Sequence, residues 1–266
     1  MNHLEKEMIE LLKKLRDNHG VFELKAEYEN EGSRQDELMR LKDVGEKVGL
    51  PIILKIGGVE AVTDIYSALT LGVKGIIAPM AETPFALSKF LDAIETFIPE
   101  DNREDIEFAV NIETITAYEN FSKMLKLEKI KLLQSITVGR VDFTASMGKD
   151  RSIVDSDEIM KYCTDIFSQS KAIGLKTALG GAISTGSIPF VSELAGKGLL
   201  NKFETRKLVY RQSTDAQNML EGIMIGIEFE LLWLKSKRRY YQRIKSEDEK
   251  RIEMLEKRVS AAKAAK

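Results

Sequence analysis

Apolar and polar positions along the chain repeat with two different periods. Residues 3–17 repeat apolar positions at helical spacing, and Gly20 follows where a helix commonly ends. In residues 21–29 the period becomes two, so apolar side chains take one face and the other face carries Glu23, Lys25, Glu27 and Glu29. We therefore predict a helix and then a strand whose charged face is either exposed to solvent or lines a polar cavity.

Short apolar runs recur after this first strand, and helix-length segments separate them. The further predicted strands lie at 51–58, 73–80, 106–114, 132–142, 175–183 and 201–210. Such alternation is typical of parallel βαβ units, so the predicted fold class is α/β, a (β/α)8 TIM-type barrel. Only seven strands are marked, so either one is poorly marked or the N-terminal helix closes the barrel irregularly. A doubly wound sheet is the second choice, since no G-x-G-x-x-G follows the first strand.

The pattern changes from about Thr214 to one long helical stretch, which is apolar at first and charged later. We therefore expect a barrel domain at 1–213, including the N-terminal helix, and a C-terminal helical extension at 214–266. A basic cluster at 235–241 is more typical of a solvated helix face than of a nucleic-acid site. The apolar segment before this cluster is expected to pack on the barrel or on a neighbouring subunit.

Composition and charge narrow the classes of function. The 40 Lys and Arg residues nearly balance the 42 Asp and Glu residues, so the chain is not built for nucleic acid or an acidic membrane surface. No stretch approaches the ~18 apolar residues of a membrane span. The single cysteine, Cys163, excludes an internal disulfide and fits a reducing compartment. We expect a cytoplasmic protein whose partner is a small molecule.

Charged or polar residues follow nearly every predicted strand. They are Lys25, Glu27 and Glu29, then Lys55, then Asn111 and Glu113, then Arg140 and Asp142, and finally Glu204, Arg206 and Lys207. In a parallel barrel the carboxyl ends of the strands form the active face. Glu113 and Asp142 could together hold Mg²⁺ or Mn²⁺, because these cations retain waters and take further oxygens from a substrate. Their alternative role is structural, since acidic residues are favoured at helix N-termini.

Four segments in order carry a resemblance to a known family. FAVNIET (108–114) and ITVGRVDFTASMG (136–148) resemble the Glu and Asp strands of the HpcH/HpaI aldolase and citrate lyase β-subunit family. PIILKIGG (51–58) and VKGIIAPM (73–80) precede them in the same order, and the resemblance covers roughly residues 21–200. It implies a phosphoenolpyruvate/pyruvate-type barrel. It also implies a divalent-metal-dependent carbon–carbon lyase or aldolase acting on a 2-oxo acid or a related acyl substrate.

The resemblance also implies roles for individual residues. Glu113 and Asp142 would be the metal ligands, and the backbone from Gly139 through Arg140 and Val141 would hold the substrate carboxylate. Lys55 would replace the family arginine that stabilises the enolate, and Lys25 is a further substrate-binding candidate.

This chain departs from the family at two places. The family's site histidine is missing, because the only histidines are His3 and His19. Glu27 or Glu29 would therefore act as the catalytic base, with Glu31 or a metal-bound water as alternatives. Arg140 stands where the family has a small or neutral residue, which suggests an altered or more anionic substrate.

Two other functions stay open at the level of sequence. The barrel could be a non-catalytic or regulatory oligomer that has lost its base, as the missing histidine allows. Lys55 or Lys25 could instead form a Schiff base with a carbonyl substrate. Because related barrels exchange C-terminal helices between subunits, the resemblance implies a homo-oligomer assembled through the C-terminal helix. The aldehyde or acyl partner is not identified by any motif.

Overall fold

A computed structural model of the chain describes residues 1–264 and contains a closed eight-stranded barrel. The strands are β1 (Val21–Glu27), β2 (Ile52–Lys55), β3 (Gly75–Ala78), β4 (Glu107–Ile112), β5 (Ser135–Gly139), β6 (Lys176–Gly180), β7 (Lys202–Glu204) and β8 (Leu208–Arg211). The α-helices are α1 (His3–His19), α2 (Gln35–Glu46), α3 (Val62–Leu71), α4 (Pro84–Phe97), α5 (Glu100–Arg103), α6 (Ile115–Met124), α7 (Arg140–Ser146), α8 (Asp157–Ala172), α9 (Ile188–Gly196) and α10 (Ala216–Ala264). The TIM-type fold predicted from the sequence is confirmed.

Local sequence signals account for several helix boundaries. The Asn2 side chain accepts a hydrogen bond from Glu5 N at the start of α1, and Gly20 ends the helix in a left-handed conformation. The Thr83 hydroxyl accepts from Ala86 N, with Pro84 in the first turn of α4. These capping residues determine the first residue of α1 and of α4 and the last residue of α1, and so they also determine which residues belong to the neighbouring loops.

The eighth strand comes from a hairpin. The sequence predicted one strand at 201–210, but the chain turns back within it, and Thr205 N donates to Leu208 O at 2.9 Å across the turn. Strand β8 is antiparallel to both β7 and β1, whereas every other neighbouring pair is parallel. The prediction of a single strand is therefore wrong, and β8, not the N-terminal helix, closes the barrel.

The strand predicted at 132–142 is shorter than expected. It ends at Gly139, and Arg140 begins the seven-residue helix α7. Asp142 therefore lies in the first turn of a helix and not on a strand. The acidic residue still faces the carboxyl end of the barrel, because α7 follows β5 without a connecting loop.

The barrel lumen is polar at both ends and apolar between them. Ile53, Ile77, Ala109 and Val209 form a small buried cluster of their own, separate from the main core between barrel and helices. The charged face of β1 lies inside, since Glu23, Lys25 and Glu27 are all buried. The sequence left open whether this charged face is exposed to solvent or lines a polar cavity, and the structure shows that it lines the barrel lumen.

Helix α10 runs from the amino-terminal to the carboxyl-terminal end of the barrel. Near its start the Asn218 side chain donates to Asn18 O at the end of α1, and further on Phe229 and Trp233 are buried. Beyond Tyr241 its residues are mainly exposed. Within residues 1–264, no helix combines the length and apolar character needed to cross a bilayer.

Candidate active site

A cavity of about 420 Å³ opens at the carboxyl ends of the strands. Its walls come from most of the strand ends and from α10. The polar and charged residues among them are Lys25, Glu27, Asn30, Lys55, Asn111, Glu113, Thr137, Asp142, Arg151, Glu204, Thr205, Arg206 and Glu230. A polar cavity at this end of a parallel barrel is the usual place for an active site.

Glu113 follows β4 directly and is almost fully buried in the cavity wall. Its Oε1 accepts from Met80 N at 3.1 Å, and its Oε2 accepts from Asn111 Nδ2 at 2.9 Å. Burial raises the pKa of Glu113 above its usual value, and nearby Asp142 adds to the rise, although Lys55 opposes it. The next residue, Thr114, caps α6, so Glu113 is not the capping residue of that helix.

Asp142 shares the cavity with Glu113 and is half-buried. It occupies the first turn of α7, where its negative charge is favoured by the helix N-terminus. The N-cap residue of α7 is Gly139, which has no side chain to cap the helix. Because Asp142 lines the cavity, its carboxylate oxygens are potential ligands.

Lys55 ends β2 and lies between two carboxylates. Its Nζ is 3.0 Å from Glu29 Oε2 and 3.4 Å from Glu113 Oε2. Burial disfavours the charge on Lys55, but Glu113 and Glu29 outweigh burial and hold its pKa above the usual value. The side chain is therefore a fixed positive charge beside Glu113.

Lys25 and Glu27 form a second ionic group deeper in the cavity. Lys25 Nζ lies 2.8 Å from Glu204 Oε2 and 3.2 Å from Glu27 Oε1. Arg206 Nη1 donates to Glu27 Oε2 at 3.1 Å. Although burial favours its neutral form, Lys25, Lys55 and Arg206 together hold the pKa of Glu27 below its usual value.

Two glycines make room for the site. A Cβ on Gly139 would lie 2.6 Å from Glu113 Oε2, so a larger residue would displace the carboxylate. A Cβ on Gly181, which has φ +79°, would lie 2.5 Å from Arg140 N and 2.7 Å from Val141 N. The absence of a side chain at Gly181 thus lets its backbone pack closely against the first two amides of α7, and of these two residues Val141 lines the cavity whereas Arg140 is fully buried.

Arg140 does not offer its side chain to the cavity. The guanidinium is fully buried, with an ion pair to Asp155 and hydrogen bonds to Gly180 O at 3.2 Å and Gly181 O at 2.9 Å. It also stacks on Phe190, 4.8 Å from the ring centroid. The interpretation of Arg140 as a sign of a more anionic substrate is therefore wrong. The side chain instead ties the β6 loop to the start of α7.

The remaining predicted residues divide between the site and its rim. Glu29 lies just beyond β1, with a side chain 26% exposed, and meets the site only through Lys55. Val141 lines the cavity. Thr137 was not predicted as a site residue but also lines the cavity, as does Glu204, to which no role was assigned from the sequence. Thr137 could have been found from the period of two along a strand, because it lies two positions before Gly139 and therefore on the same face.

The donors around Glu113 suit a hard divalent cation. Glu113 and Asp142 supply carboxylate oxygens, and Asn111 Oδ1 is a buried acceptor without a hydrogen-bond partner in residues 1–264. The same residues contain no group of three or more His, Cys, Asp or Glu side chains placed to hold a metal. A two-carboxylate site fits Mg²⁺ or Mn²⁺, which keep several waters, better than Zn²⁺, which requires a fuller protein ligand set.

The closed eight-stranded barrel, with a polar cavity at the carboxyl ends of its strands, defines a TIM-type barrel. Residues 47–183, just over half of the 266-residue chain, match the HpcH/HpaI aldolase/citrate lyase family. The chain belongs to this family. Membership supports a lyase-type enzyme in general terms, whereas the metal and the substrate are matters for proposal. No curated protein matches the sequence.

Solved structures show the same fold. A citrate synthase, SbnG, is 16% identical with a TM-score of 0.58, covering 73% of this chain and 89% of that one. An HpcH/HpaI aldolase from Desulfitobacterium hafniense DCB-2 is 13% identical with a TM-score of 0.55, covering 73% and 88%. A family protein from Burkholderia cenocepacia J2315 is 14% identical with a TM-score of 0.54, covering 88% and 98%. At such identities the likeness concerns the fold.

Proposed function

We propose that this protein is a divalent-cation-dependent carbon–carbon lyase or aldolase that cleaves a 2-oxo acid to a pyruvate-type enolate. The observation that carries the proposal is the meeting of Glu113, Asp142 and Lys55 at one cavity. Two carboxylates offer a cation site, and the lysine adds a fixed positive charge beside it. This combination suits a reaction in which negative charge develops on a substrate oxygen.

Glu113 and Asp142 would hold Mg²⁺ or Mn²⁺, with open positions left for substrate oxygens. When bound, the cation supplies Lewis-acid stabilisation of an enolate oxygen. Lys55 is held close to Glu113 by its ion pairs and would stabilise the same charge from the protein side. The substrate carboxylate would accept a hydrogen bond from the backbone at Gly139 or Val141, both of which line the cavity.

The surroundings of Lys55 and Lys25 argue against a Schiff-base mechanism. Each ammonium group lies within 3.4 Å of two carboxylates. For Lys25, burial disfavours the charge, but Glu204 and Glu27 outweigh it and raise the pKa well above the usual value. A lysine nucleophile must lose its proton, and both environments keep the proton in place.

We further propose that a second copy of the chain covers one face of α10. Five large apolar residues with exposures between 41% and 54% follow each other at steps of four and three, namely Leu220, Met224, Ile227, Leu231 and Leu234. This is the spacing of a coiled-coil seam. In a parallel pair of α10 helices, Glu230 of one copy would lie close to Lys235 of the other copy, because residues five positions apart flank the seam. These two residues could form an ion pair between the copies.

The helix pair would also complete the cavity, because Ile227 belongs both to this seam and to the cavity wall. In sedimentation experiments we expect the wild type to be an oligomer and Met224→Glu with Leu231→Glu to be a monomer. Lys245→Glu, on the exposed part of α10, serves as the charge control. A monomeric wild type at micromolar concentration would overturn this second proposal.

A solvent-exchange measurement tests the proposed chemistry without knowledge of the full substrate. With Mg²⁺ or Mn²⁺, the wild type should exchange the methyl protons of pyruvate with deuterium oxide, as followed by NMR. Glu113→Gln and Asp142→Asn should reduce exchange at least ~100-fold, because each removes a ligand of the cation. Exchange that is absent in the wild type, or unchanged in both variants, would refute the proposal. Tight cation binding without exchange would favour the non-catalytic alternative.

A further inference from the structure

The side chain of Arg140 is fully buried, and the proposed chemistry gives its guanidinium no role. Burying a charge is costly unless the group is both paired and hydrogen-bonded, so a buried arginine needs a structural reason. The groups that it binds show which parts of the molecule depend on it.

Arg140 makes four hydrogen bonds, and they join two loops to the start of α7. Its Nε donates to Gly180 O at 3.2 Å, and its Nη2 donates to Gly181 O at 2.9 Å. Its Nη1 donates to Val154 O at 3.3 Å and to the carboxylate of Asp155. Because the guanidinium is planar and presents its N–H groups in a fixed fork, one side chain can hold both loops at once.

All three segments that Arg140 joins contribute to the wall of the cavity. The β6 loop contributes Gly180 and Gly181, α7 contributes Asp142, and the loop between α7 and α8 contributes Arg151. The guanidinium itself is buried outside the cavity. One side of the cavity is therefore held together by a side chain that does not line it.

Helix α7 is firmly anchored in its later residues. Phe143 is fully buried, and Ser146 Oγ accepts a hydrogen bond from Ile115 N at 2.9 Å. The helix has only seven residues, and its N-cap residue is a glycine, so its own hydrogen bonds do little to fix its orientation. The first turn, which carries Asp142, is tied to the neighbouring loops by Arg140.

The β6 loop needs such an anchor because its backbone is strained. Gly181 and Ala182 both have left-handed conformations, with φ +79° and +56°. A residue with a side chain, such as Ala182, rarely adopts a positive φ unless its surroundings hold it there. Arg140 binds the carbonyl oxygen of Gly181, which belongs to the peptide group that leads into Ala182. The hydrogen bond thus acts at the strained point of the loop.

We propose that Arg140 is a positioning residue that sets the place of Asp142 in the cation site by joining the β6 loop to the first turn of α7. The inference rests on the cation-dependent function proposed above. Glu113 is held separately, by hydrogen bonds from Met80 N and Asn111 Nδ2. Without Arg140, the first turn of α7 would shift relative to Glu113, and the two carboxylates would no longer meet one cation at suitable distances.

Calorimetric binding of Mn²⁺ tests this role without any substrate. We expect Arg140→Lys to weaken Mn²⁺ binding by about 10–100-fold, the range for losing a group that orients a metal ligand. Lysine keeps the positive charge beside Asp155 but lacks the planar fork that binds both loops. Ser146→Ala is the matched control, because it removes a polar anchor at the other end of α7 and should leave the affinity unchanged.

A double variant separates the positioning role from a general loss of stability. Arg140→Met with Asp155→Asn removes both charges at similar side-chain volume, so no unpaired charge stays buried. We expect this protein to fold with a Tm close to that of the wild type. It should nevertheless bind Mn²⁺ as weakly as Arg140→Lys, because its links to the β6 loop are missing.

Chemical rescue tests the geometry of the missing group. In Arg140→Ala the vacated space lies beside Asp155, whose side chain is 32% exposed, so a small solute can reach it. Millimolar guanidinium should restore most of the Mn²⁺ affinity, because it supplies the same planar set of donors. Ammonium at the same concentration should not restore it. Equal effects of the two cations would contradict the role of the planar fork.

The outcomes distinguish this inference from the proposed function. Wild-type affinity in Arg140→Lys and in the double variant would overturn the positioning role, even if the wild type exchanges the methyl protons of pyruvate. Equal weakening in Ser146→Ala would overturn it as well. Weakened binding in the Arg140 variants alone would support the role, and a wild type without pyruvate exchange would then refute only the proposed chemistry. A wild type that does not bind Mn²⁺ would overturn both.

Discussion

The two ends of the barrel lumen both contain buried charges, but only one of them is arranged as a site. At the amino-terminal end, Lys202 Nζ lies 3.1 Å from Glu107 Oε1 and 3.6 Å from Glu23 Oε2, and Ser135 Oγ donates to Glu107 at 2.8 Å. At the carboxyl end, Lys25 is shared between two carboxylates that line an open cavity, and Lys55 joins the cavity residue Glu113 to Glu29 at the rim. The two ends differ in how many of their buried polar atoms have hydrogen-bond partners.

This comparison shows that burial of charge is a poor marker of function by itself. The amino-terminal group is a small ionic network that closes the lumen, and one oxygen there, Glu23 Oε2, lacks a hydrogen bond within residues 1–264. At the other end, Asn111 Oδ1 and Thr137 Oγ1 have no hydrogen-bond partner within residues 1–264, and the Glu204 carboxylate is held there by its ion pair with Lys25. Unpaired polar atoms beside empty space indicate a ligand, whereas paired ones indicate a structural role.

The largest effect on stability is expected from removing the shared cation of the amino-terminal network. Lys202→Met should lower the free energy of unfolding by about 3–5 kcal/mol, because Glu23 and Glu107 would stay buried without their common partner. Urea denaturation measures this loss. The variant should retain its turnover number at temperatures where it is folded. A stable but inactive Lys202→Met would mean that the two ends of the lumen are not functionally separate.

A smaller loss is expected from Glu107→Gln. Burial favours the neutral form of Glu107, but Lys202 and the Ser135 hydroxyl outweigh it and hold the pKa of Glu107 below its usual value of about 4.5. A lowered pKa contributes stability above the unfolded-state pKa, and this contribution disappears as the pH falls through the folded-state pKa.

The variant should therefore be less stable than the wild type by about 1–2 kcal/mol near neutral pH, the range for a hydrogen bond to a charged group. The difference should shrink below about pH 4.5. Glu113→Gln is the comparison variant, because Glu113 follows the other end of the same strand. We expect Glu113→Gln to lose activity and Glu107→Gln to retain it. Thermal unfolding across pH, together with turnover, distinguishes the two.

The smallest effect, and one of opposite sign, is expected from Glu23→Gln. Burial raises the pKa of Glu23 above 4.5, with only partial compensation from Lys202. Because the unfolded chain ionises first, stability falls as the pH rises from the unfolded-state pKa to the folded-state pKa.

The amide should remove this penalty and make the protein up to about 1 kcal/mol more stable at pH 7, with no gain below about pH 4.5. Unfolding curves at both pH values provide the measurement. A clear loss of stability at pH 7 would show that the Lys202 network needs both of its carboxylates.

Much of the fold was predictable because its signals are local. Caps such as Thr83-Pro84 and the apolar runs at the strands give the alternation directly. The reversal within 201–210 was not predictable, since its turn lies among Thr205, Arg206 and Lys207, which contain no glycine or proline. The end of β5 at Gly139 was also missed, because a strand that passes directly into a helix has no intervening turn residues.

The site was predictable to the extent that strand ends meet at one face. Glu113, Asp142 and Lys55 come together as the topology requires. The orientation of Arg140 was not predictable, because its partners Asp155 and Gly181 lie in later loops. Likewise, the ion pair of Glu204 with Lys25 and the lack of a hydrogen-bond partner for Thr137 Oγ1 within residues 1–264 depend on distances across the lumen that no sequence period encodes.

The reversed eighth strand has a consequence for where the chain leaves the barrel. Strand β8 runs toward the amino-terminal end of the barrel, so α10 begins at that end. The helix then runs along the outside of the barrel to the carboxyl-terminal end, where Gly226 and Ile227 contribute to the cavity wall. With 49 residues at ~1.5 Å each, it is a rod of roughly 70 Å whose exposed part, beyond Tyr241, projects past the catalytic side of the barrel. The projecting part of α10 would therefore limit how closely another macromolecule can approach the entrance of the cavity.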